Sequence, residues 1–246
     1  MSNAPPALEL TAEEVKRTAA NTRPRDAATL IVIDRTEAMP KVLFGRRHMR
    51  HAFMPGKYVF PGGGVEPGDG KMNVAGALHD VAEQRLMLRV TRGSPAMARA
   101  LALAAIRETF EEAGLLIGSK DYGAPVSPPP GSWTDFAAHG VFPGLEDLHF
   151  IARAITPPGR TRRFDARFFA IDASHIAHRI ARDEGEHSEL LDLVWQPLDQ
   201  LDKLDLPTIT RMVLRELEAR IAAGFGHHLP VPFFLEKHKK QLRDEL

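Results

Sequence analysis

The chain has 246 residues, enough for one large domain, and its 43% hydrophobic and 26% charged residues are ordinary proportions for a folded globular protein. Lys plus Arg and Asp plus Glu both number 32, so the net charge is zero and no overall field favours nucleic acid or an anionic membrane. The absence of cysteine excludes disulfides, thiolate nucleophiles and cysteine-bound metal sites. Any metal must therefore be bound by oxygen or imidazole ligands.

The N-terminal residues 1–24 predict a helical extension, because Thr11 and Glu14 are spaced as a capping box and the segment ends at Pro24. The first residues contain no apolar leader, and no later run approaches the ~20 apolar residues of a spanning helix. We therefore expect a cytoplasmic protein.

The rest of the chain alternates strand and helix patterns. Apolar β-branched runs predict strands, and helical spacing between capping residues predicts helices. The predicted strands are 27–33, 41–46, 58–60, 148–155, 167–171 and 190–195, and the predicted helices are 95–113 and 207–223. One or two further helices are expected at 70–94. This order predicts helices packed on a mixed sheet, with a C-terminal helix and tail at 206–246 whose last four residues we expect to be solvated.

Three carboxylates share one face of the predicted helix 95–113. Glu108, Glu111 and Glu112 are spaced at i, i+3 and i+4, which places them on one side of a helix. A solvated acidic face is the ordinary explanation of such a pattern. The glycines at 62–64 lie upstream, however, and would allow the backbone to turn tightly and approach a ligand. The combination favours a Mg²⁺ or Mn²⁺ site beside a phosphate group.

The same residues resemble a known family. Residues 63–69 (GGVEPGD) and 107–115 (RETFEEAGL) are similar to the two halves of the Nudix box. Thr109 replaces an aliphatic residue, Asp69 stands where the family has Glu, and 37 residues separate Asp69 from Arg107, so the box is split by an insertion. The resemblance implies a Nudix-type α/β/α sandwich over 25–205, with a mixed sheet and an inserted helical segment.

A second resemblance concerns the substrate. Residues 53–63 (FMPGKYVFPGG) resemble the end of the signature of Nudix CoA and acyl-CoA diphosphatases, and the nudix motif 19 type also has a split box. Residues 43–47 match the start of that signature loosely, and 162–169 resemble a segment of that branch. The implied reaction is hydrolysis of CoA or acyl-CoA to 3′,5′-ADP and (acyl-)phosphopantetheine. ADP-ribose, a dinucleotide or a nucleotide sugar is the alternative substrate, and a non-catalytic Nudix-like binding domain is the alternative class.

The resemblance also implies metal ligands and catalytic groups. Glu108, Glu111 and Glu112 would bind the Mg²⁺ or Mn²⁺ ion. Glu112 would also orient or deprotonate the attacking water, or a later carboxylate would do so, for which we prefer Glu186 to Glu189.

Other residues would position these groups or bind the substrate. Arg107 is expected to pair with a carboxylate such as Asp69 and to hold the helix against the glycine segment. Gly62 and Gly63 would offer backbone groups to metal or phosphate.

Basic side chains near the predicted second strand are candidate substrate ligands. Arg46, Arg47 and Arg50, with His48 and His51, could bind the phosphates of CoA, since arginine binds phosphate in a bidentate manner. The alternative is a solvated strand end.

The same two interpretations apply to Arg160, Arg162 and Arg163, whereas His227 and His228 are expected to be surface histidines. The expected partner is a nucleotide-type small molecule, without nucleic acid or membrane, and a homodimer is left open.

Overall fold

A computed structural model of the chain describes residues 11, 17, 19–50, 54–181, 189–237 and 240–246. The strands in these residues are β1 (Arg25–Asp34), β2 (Lys41–Arg47), β3 (Tyr58–Val59), β4 (Gly62–Gly64), β5 (Leu115–Ile117), β6 (His149–Ile155), β7 (Phe164–Asp172), β8 (Ile176–Arg179), β9 (Leu190–Pro197), β10 (Pro232–Lys237) and β11 (Lys240–Glu245). The helices are α1 (Asp80–Met87), α2 (Pro95–Ala113), α3 (Trp133–Ala138) and α4 (Thr208–Ala222). Short 3₁₀ segments occur at Asp69–Lys71, Ala173–His175 and Leu198–Lys203.

The main sheet is mixed and has the order β11-β10-β6-β7-β1-β2-β3, with β4 paired to β1 and β9 paired to β2. β1 lies at its centre and runs parallel to β7 along almost its whole length. On its other side, β1 pairs with β2 only near Ile33 and Asp34, and with β4 near its beginning. β4 therefore occupies the space that β2 leaves, which brings the three glycines into the sheet.

Helices cover both faces of this sheet. Leu30 and Val32 of β1 face one core with α2, whereas Ile31 and Ile33 face a second core with α4. The alternation follows from the two-residue period of a strand. Burying each large aliphatic side chain contributes about 1.5–3 kcal/mol. The three layers agree with the predicted α/β/α sandwich.

The bounds of α2 follow from local chemistry. The Ser94 hydroxyl accepts a hydrogen bond from Met97 N at 3.2 Å, and Pro95 occupies the first turn, where its missing N–H costs nothing. Gly114 ends the helix with a positive φ of 69°. The observed helix therefore matches the predicted range of 95–113.

Residues 243–245 of the C-terminal tail are exposed, as predicted, but they also belong to a strand that the sequence did not predict. β10 and β11 form an antiparallel hairpin, and β10 adds to the sheet parallel to β6. Phe233 and Phe234 are buried and anchor the hairpin. The sequence of β11, KQLRDE, does not alternate between apolar and polar residues. Backbone hydrogen bonds hold this strand at the edge of the sheet.

Three further elements, β5, β8 and α3, were not predicted, because with three, four and six residues they are too short for a hydrophobic pattern to be recognised. The predicted insertion contains α1, whose Ala82 and Leu86 are buried in the α2 core. The predicted N-terminal helix lies almost wholly outside the described residues. In the described part of the chain, no helix is both long and apolar enough to cross a bilayer.

Candidate metal and active site

The acidic face of α2 points toward β4 with a graded exposure. Arg107 and Glu112 are 2% and 3% exposed, whereas the side chains of Glu108 and Glu111 are 13% and 35% exposed. α2 packs on β1 and β4 through its apolar stripe, so the residue nearest the sheet is buried most deeply. The carboxylates therefore extend from the protein interior toward solvent.

An ion pair between Asp69 and Arg107 joins the two halves of the split motif. Arg107 Nε lies 2.8 Å from Asp69 Oδ1, and Nη2 lies 3.2 Å from Asp69 Oδ2 and 2.8 Å from the Gly64 carbonyl oxygen. Asp69 is fully buried and also accepts hydrogen bonds from Glu66 N at 2.8 Å and Trp133 Nε1 at 3.3 Å. Each of these hydrogen-bond partners is a donor, and a buried carboxylate needs such donors in place of water.

Arg107 is also shared by two helix carboxylates. Its Nη1 lies 2.9 Å from Glu108 Oε1 and 3.0 Å from Glu111 Oε2. One guanidinium thus faces three carboxylates, since Asp69 occupies its other edge. The local charge is negative even though the chain as a whole is neutral.

The glycine segment is an extended strand and not the tight turn that the sequence suggested. Gly62 N donates to Glu112 Oε2 at 2.8 Å, so this N–H stabilises a carboxylate instead of being offered to phosphate. A Cβ at Gly62 would lie 2.5 Å from Thr29 Oγ1, and a Cβ at Gly63 would collide with the carboxyl group of Glu108. Glycine is needed here because β1 and the α2 carboxylates approach the backbone closely.

Burial controls the protonation of these acids. Burial raises the pKa of Glu108 to about 7, although Arg107 opposes the shift, and the negative charges of Glu111 and Glu189 increase it. Burial also raises the pKa of Glu112 well above its usual range, against the hydrogen bond from Gly62. A positive ion at this position would reverse both effects.

The donor set fits a hard divalent cation. Glu112 Oε1 is buried and has no hydrogen-bond partner among the described residues. Carboxylate oxygens are the ligands that Mg²⁺ and Mn²⁺ prefer. Within the described ranges, no group of three acidic or histidine side chains is already arranged around one point. Glu108 and Glu111 would therefore have to exchange their contact with Arg107 for a cation.

The predicted basic residues lie at the end of β2. The positive charge of Arg47 lowers the pKa of Glu112, which places this arginine beside the acidic cluster. Arg46 forms an ion pair with Asp192 on β9. The Nε atoms of Arg46 and Arg47 are buried and have no partner among the described residues. In the loop that follows, Arg50 N donates to His48 Nδ1 at 3.0 Å.

The later carboxylate that reaches the site within the described residues is Glu189. Its negative charge raises the pKa of both Glu108 and Glu112. Glu189 immediately precedes β9, and β9 pairs with β2 from Leu190 onward. The preferred candidate, Glu186, lies outside the described residues.

The fold of this chain is similar to that of a solved structure. A Nudix hydrolase from Alicyclobacillus acidocaldarius is 29% identical, with a match that covers 80% of this chain and 92% of that chain at a TM-score of 0.57. The chain has the Nudix hydrolase fold. The predicted fold class and the predicted enzyme class, a Nudix diphosphatase, are both confirmed.

More distant Nudix structures also match. The Nudix domain of Shewanella oneidensis NrtR in complex with ADP-ribose is 13% identical over 81% of this chain and 90% of that chain, with a TM-score of 0.45. A Nudix hydrolase from Listeria monocytogenes is 14% identical over 82% and 97% of the two chains, also at 0.45. No protein-family model and no curated protein matches the sequence.

Two contacts of the candidate site were not predicted from the sequence. Ser132 Oγ donates to Glu111 Oε1 at 2.5 Å, and the indole of the buried Trp133 donates to Asp69 Oδ1. No sequence pattern links residues this far apart. Thr109, the departure from the Nudix box, is buried and satisfied by a 2.8 Å bond to the Ala105 carbonyl, so it does not disturb the helix.

The remaining candidates have other partners. Arg163 donates to the Thr156 carbonyl at 3.0 Å and to Asn21 Oδ1 at 2.7 Å, which ties the N-terminal segment to β6. His227 is partly buried, not a free surface residue, and its ring stacks on those of His79 and His149 at 4.1 and 4.0 Å.

Proposed function

We propose that this Nudix enzyme uses Mg²⁺ or Mn²⁺ to hydrolyse a diphosphate, with CoA or acyl-CoA as the substrate and 3′,5′-ADP and (acyl-)phosphopantetheine as products. One observation carries the proposal. The buried, unpartnered oxygen of Glu112 lies in a group of carboxylates in which Arg107 is shared by Asp69, Glu108 and Glu111. Such an excess of buried negative charge is costly unless a cation binds there.

The residues divide the chemistry among them. Glu108, Glu111 and Glu112 would hold the ion, and the ion would neutralise charge on the diphosphate. Arg107 keeps Glu108 and Glu111 close to β4 through its bond to Gly64.

A further carboxylate would accept the proton of the attacking water. Glu189 is the described candidate because it lies near Glu108 and Glu112, and Glu186 remains a prediction. Little covalent chemistry is needed in phosphoryl transfer, so positioning and charge neutralisation suffice.

The arginines of β2 support CoA as the substrate. Arg46 and Arg47 have buried Nε donors without a described partner, beside the acidic group that would bind the metal. A substrate with a second phosphate group in addition to its diphosphate would use such donors. The segment that resembles the CoA signature contains β3 and the first two residues of β4, and its closeness to the candidate metal site supports the proposal.

A substrate panel tests this proposal. The purified chain is assayed with Mg²⁺ or Mn²⁺ against CoA, acyl-CoA, dephospho-CoA, ADP-ribose, a dinucleotide and a nucleotide sugar. Release of 3′,5′-ADP from CoA is expected. Cleavage of ADP-ribose without cleavage of CoA would reject the proposed substrate, and cation-independent activity would reject the metal site.

A pair of variants sharpens the substrate test. Arg47→Met should raise KM for CoA by about 10-fold, the loss of one charged phosphate contact, with a smaller change for dephospho-CoA. Arg162→Met is the matched control in the other predicted basic segment. If Arg162→Met had the larger effect, the phosphate contact would belong to that segment.

A further inference from the structure

Two serines among the described residues occupy the N-cap position of a helix, and one of these two makes no capping bond. Ser94 at the start of α2 accepts a hydrogen bond from Met97 N, as an N-cap serine ordinarily does. Ser132 at the start of α3 makes no side-chain cap bond. The hydroxyl of Ser132 bonds to another residue and not to the backbone of its own helix. Such a departure from the usual N-cap bond is often found at functional sites.

The hydroxyl of Ser132 donates to Glu111 Oε1 at 2.5 Å, a length typical of a hydroxyl bound to a charged carboxylate. The other oxygen of Glu111 accepts from Arg107 Nη1 at 3.0 Å. Both oxygens are therefore held by donors on opposite sides. Glu111 is the most exposed of the three helix carboxylates, so without these bonds its side chain would be the freest to rotate.

The segment that carries Ser132 is itself fixed to the split motif. The adjacent residue, Trp133, donates to the buried Asp69. Asn73 Nδ2 in the insertion donates to the Val126 carbonyl at 3.0 Å, and Pro129 packs near Gly68. The position of Ser132 is thus set by contacts on both sides of the hydroxyl.

We propose that Ser132 is a positioning residue for Glu111, which orients this carboxylate for cation binding from outside the Nudix box. The inference rests on the proposed function, because it takes Glu111 as a metal ligand. Donors that orient metal-binding side chains typically contribute about 10–100-fold in metal affinity. Neither the motif nor the spacing of the sequence assigns a role to Ser132.

The test compares Mn²⁺ affinity and thermal stability in the full chain. Titration calorimetry with Mn²⁺ alone is performed on the wild type, Ser132→Ala, Ser132→Thr and Ser94→Ala. Ser132→Ala should weaken Mn²⁺ binding by about 10-fold with little change in Tm, and Ser132→Thr, which keeps the hydroxyl, should restore most of the affinity. Ser94→Ala should lower Tm and leave Mn²⁺ affinity unchanged, because it removes a true cap.

Ser119→Ala is the second control, since its hydroxyl also donates to a carboxylate, Asp121 Oδ2, at 2.7 Å. This variant should bind Mn²⁺ like the wild type. The inference is overturned if Ser132→Ala binds Mn²⁺ normally, or if Ser132→Thr does not restore the affinity that Ser132→Ala loses. A wild type that neither binds Mn²⁺ nor hydrolyses any diphosphate would instead overturn the proposed function.

Discussion

Two largely buried charge clusters in this protein differ in their balance of charge. The site cluster consists of Asp69, Arg107, Glu108, Glu111 and Glu112, and the sheet cluster of Asp26, Arg153, Asp165 and Arg167. In the sheet cluster, Arg153 binds both oxygens of Asp165 at 2.8 and 2.7 Å. Arg167 Nη1 lies 2.6 Å from Asp26 Oδ1. Two guanidinium groups therefore face two carboxylates.

The atoms that remain unpaired show the difference. In the sheet cluster they are donors, Arg167 Nε and Nη2, whereas in the site cluster the unpaired atom is an acceptor, Glu112 Oε1. Burial lowers the pKa of Arg167 but raises that of Glu112. Both clusters are buried and hydrogen bonded, so burial alone does not identify a functional site. An excess of acidic groups points to a functional site, since such groups must either hold protons or bind a cation.

The sheet cluster has a structural role. Arg153 Nη1 donates to the Leu88 carbonyl at the end of α1 at 3.0 Å, and its guanidinium lies 4.4 Å from the centre of the Phe233 ring. One side chain thus connects the insertion, the central sheet and the C-terminal hairpin. We expect changes in this cluster to affect stability and changes in the site cluster to affect metal binding and turnover.

The largest expected effect is that of Glu112→Gln on turnover. Hydrolysis should fall by about 1,000-fold, within the range for loss of a general base or ligand carboxylate. Urea unfolding of the metal-free protein should show no loss of stability, because glutamine is neutral like the protonated acid that burial favours and can still accept the hydrogen bond from Gly62 N. Glu218→Gln, on the exposed face of α4, is the control. Unaltered turnover in Glu112→Gln would show that the carboxylates of α2 are not the metal site.

The next effect concerns the sheet cluster. Asp165→Asn leaves Arg153 without a charged partner and Arg167 with Asp26 alone, and we expect a loss of about 3 kcal/mol in the free energy of unfolding. Urea titration measures this loss, and Asp199→Asn on an exposed 3₁₀ segment is the control. Mn²⁺ affinity at 25 °C should remain unchanged. Weaker Mn²⁺ binding without a loss of stability would contradict the structural role.

A smaller loss is expected when Asp69 is replaced by the Glu of the family pattern. Asp69 is fully buried between Arg107 and Trp133, so the extra methylene of Asp69→Glu should overpack the site and cost about 2 kcal/mol. The double variant with Trp133→Phe, which shortens the opposing ring, should recover part of this stability. If the double variant were no more stable in urea than Asp69→Glu alone, the indole of Trp133 would not be what prevents a longer acid at position 69.

The smallest effect is a pH dependence of stability. The pKa of Glu108 is raised from 4.5 to about 7 in the folded protein, so the folded state holds a proton that the unfolded chain has released in this range. Metal-free stability should therefore fall by about 1–3 kcal/mol as the pH rises from about 4.5 to about 7. Urea titrations at several pH values measure the slope. Glu108→Gln or saturating Mn²⁺ should reduce this slope of stability against pH, whereas Asp165→Asn should leave the slope unchanged. If Glu108→Gln did not reduce the slope, the pH dependence would belong to other titratable groups.

Part of the fold could be predicted because its causes are local. Helix α2 begins at a serine cap and ends at Gly114, and the β-branched run of β1 alternates between two cores, so both follow from neighbouring residues. The hairpin of β10 and β11 could not be predicted, because the sequence of β11 has no alternation. Its pairing with β10 depends on backbone hydrogen bonds and on the burial of Phe233 and Phe234.

The sequence by itself determined the resemblance to the Nudix box, from which the enzyme class was predicted. It also determined the alignment of Glu108, Glu111 and Glu112 on one helix face, since helical spacing is fixed by the backbone. Only the tertiary structure decided how those acids are held. It made Gly62 a strand residue whose N–H binds Glu112, and it brought Ser132 and Trp133 to the cluster from another part of the chain. The physical reason is that hydrogen bonds and burial act over a few ångströms, whatever the separation of the residues along the chain.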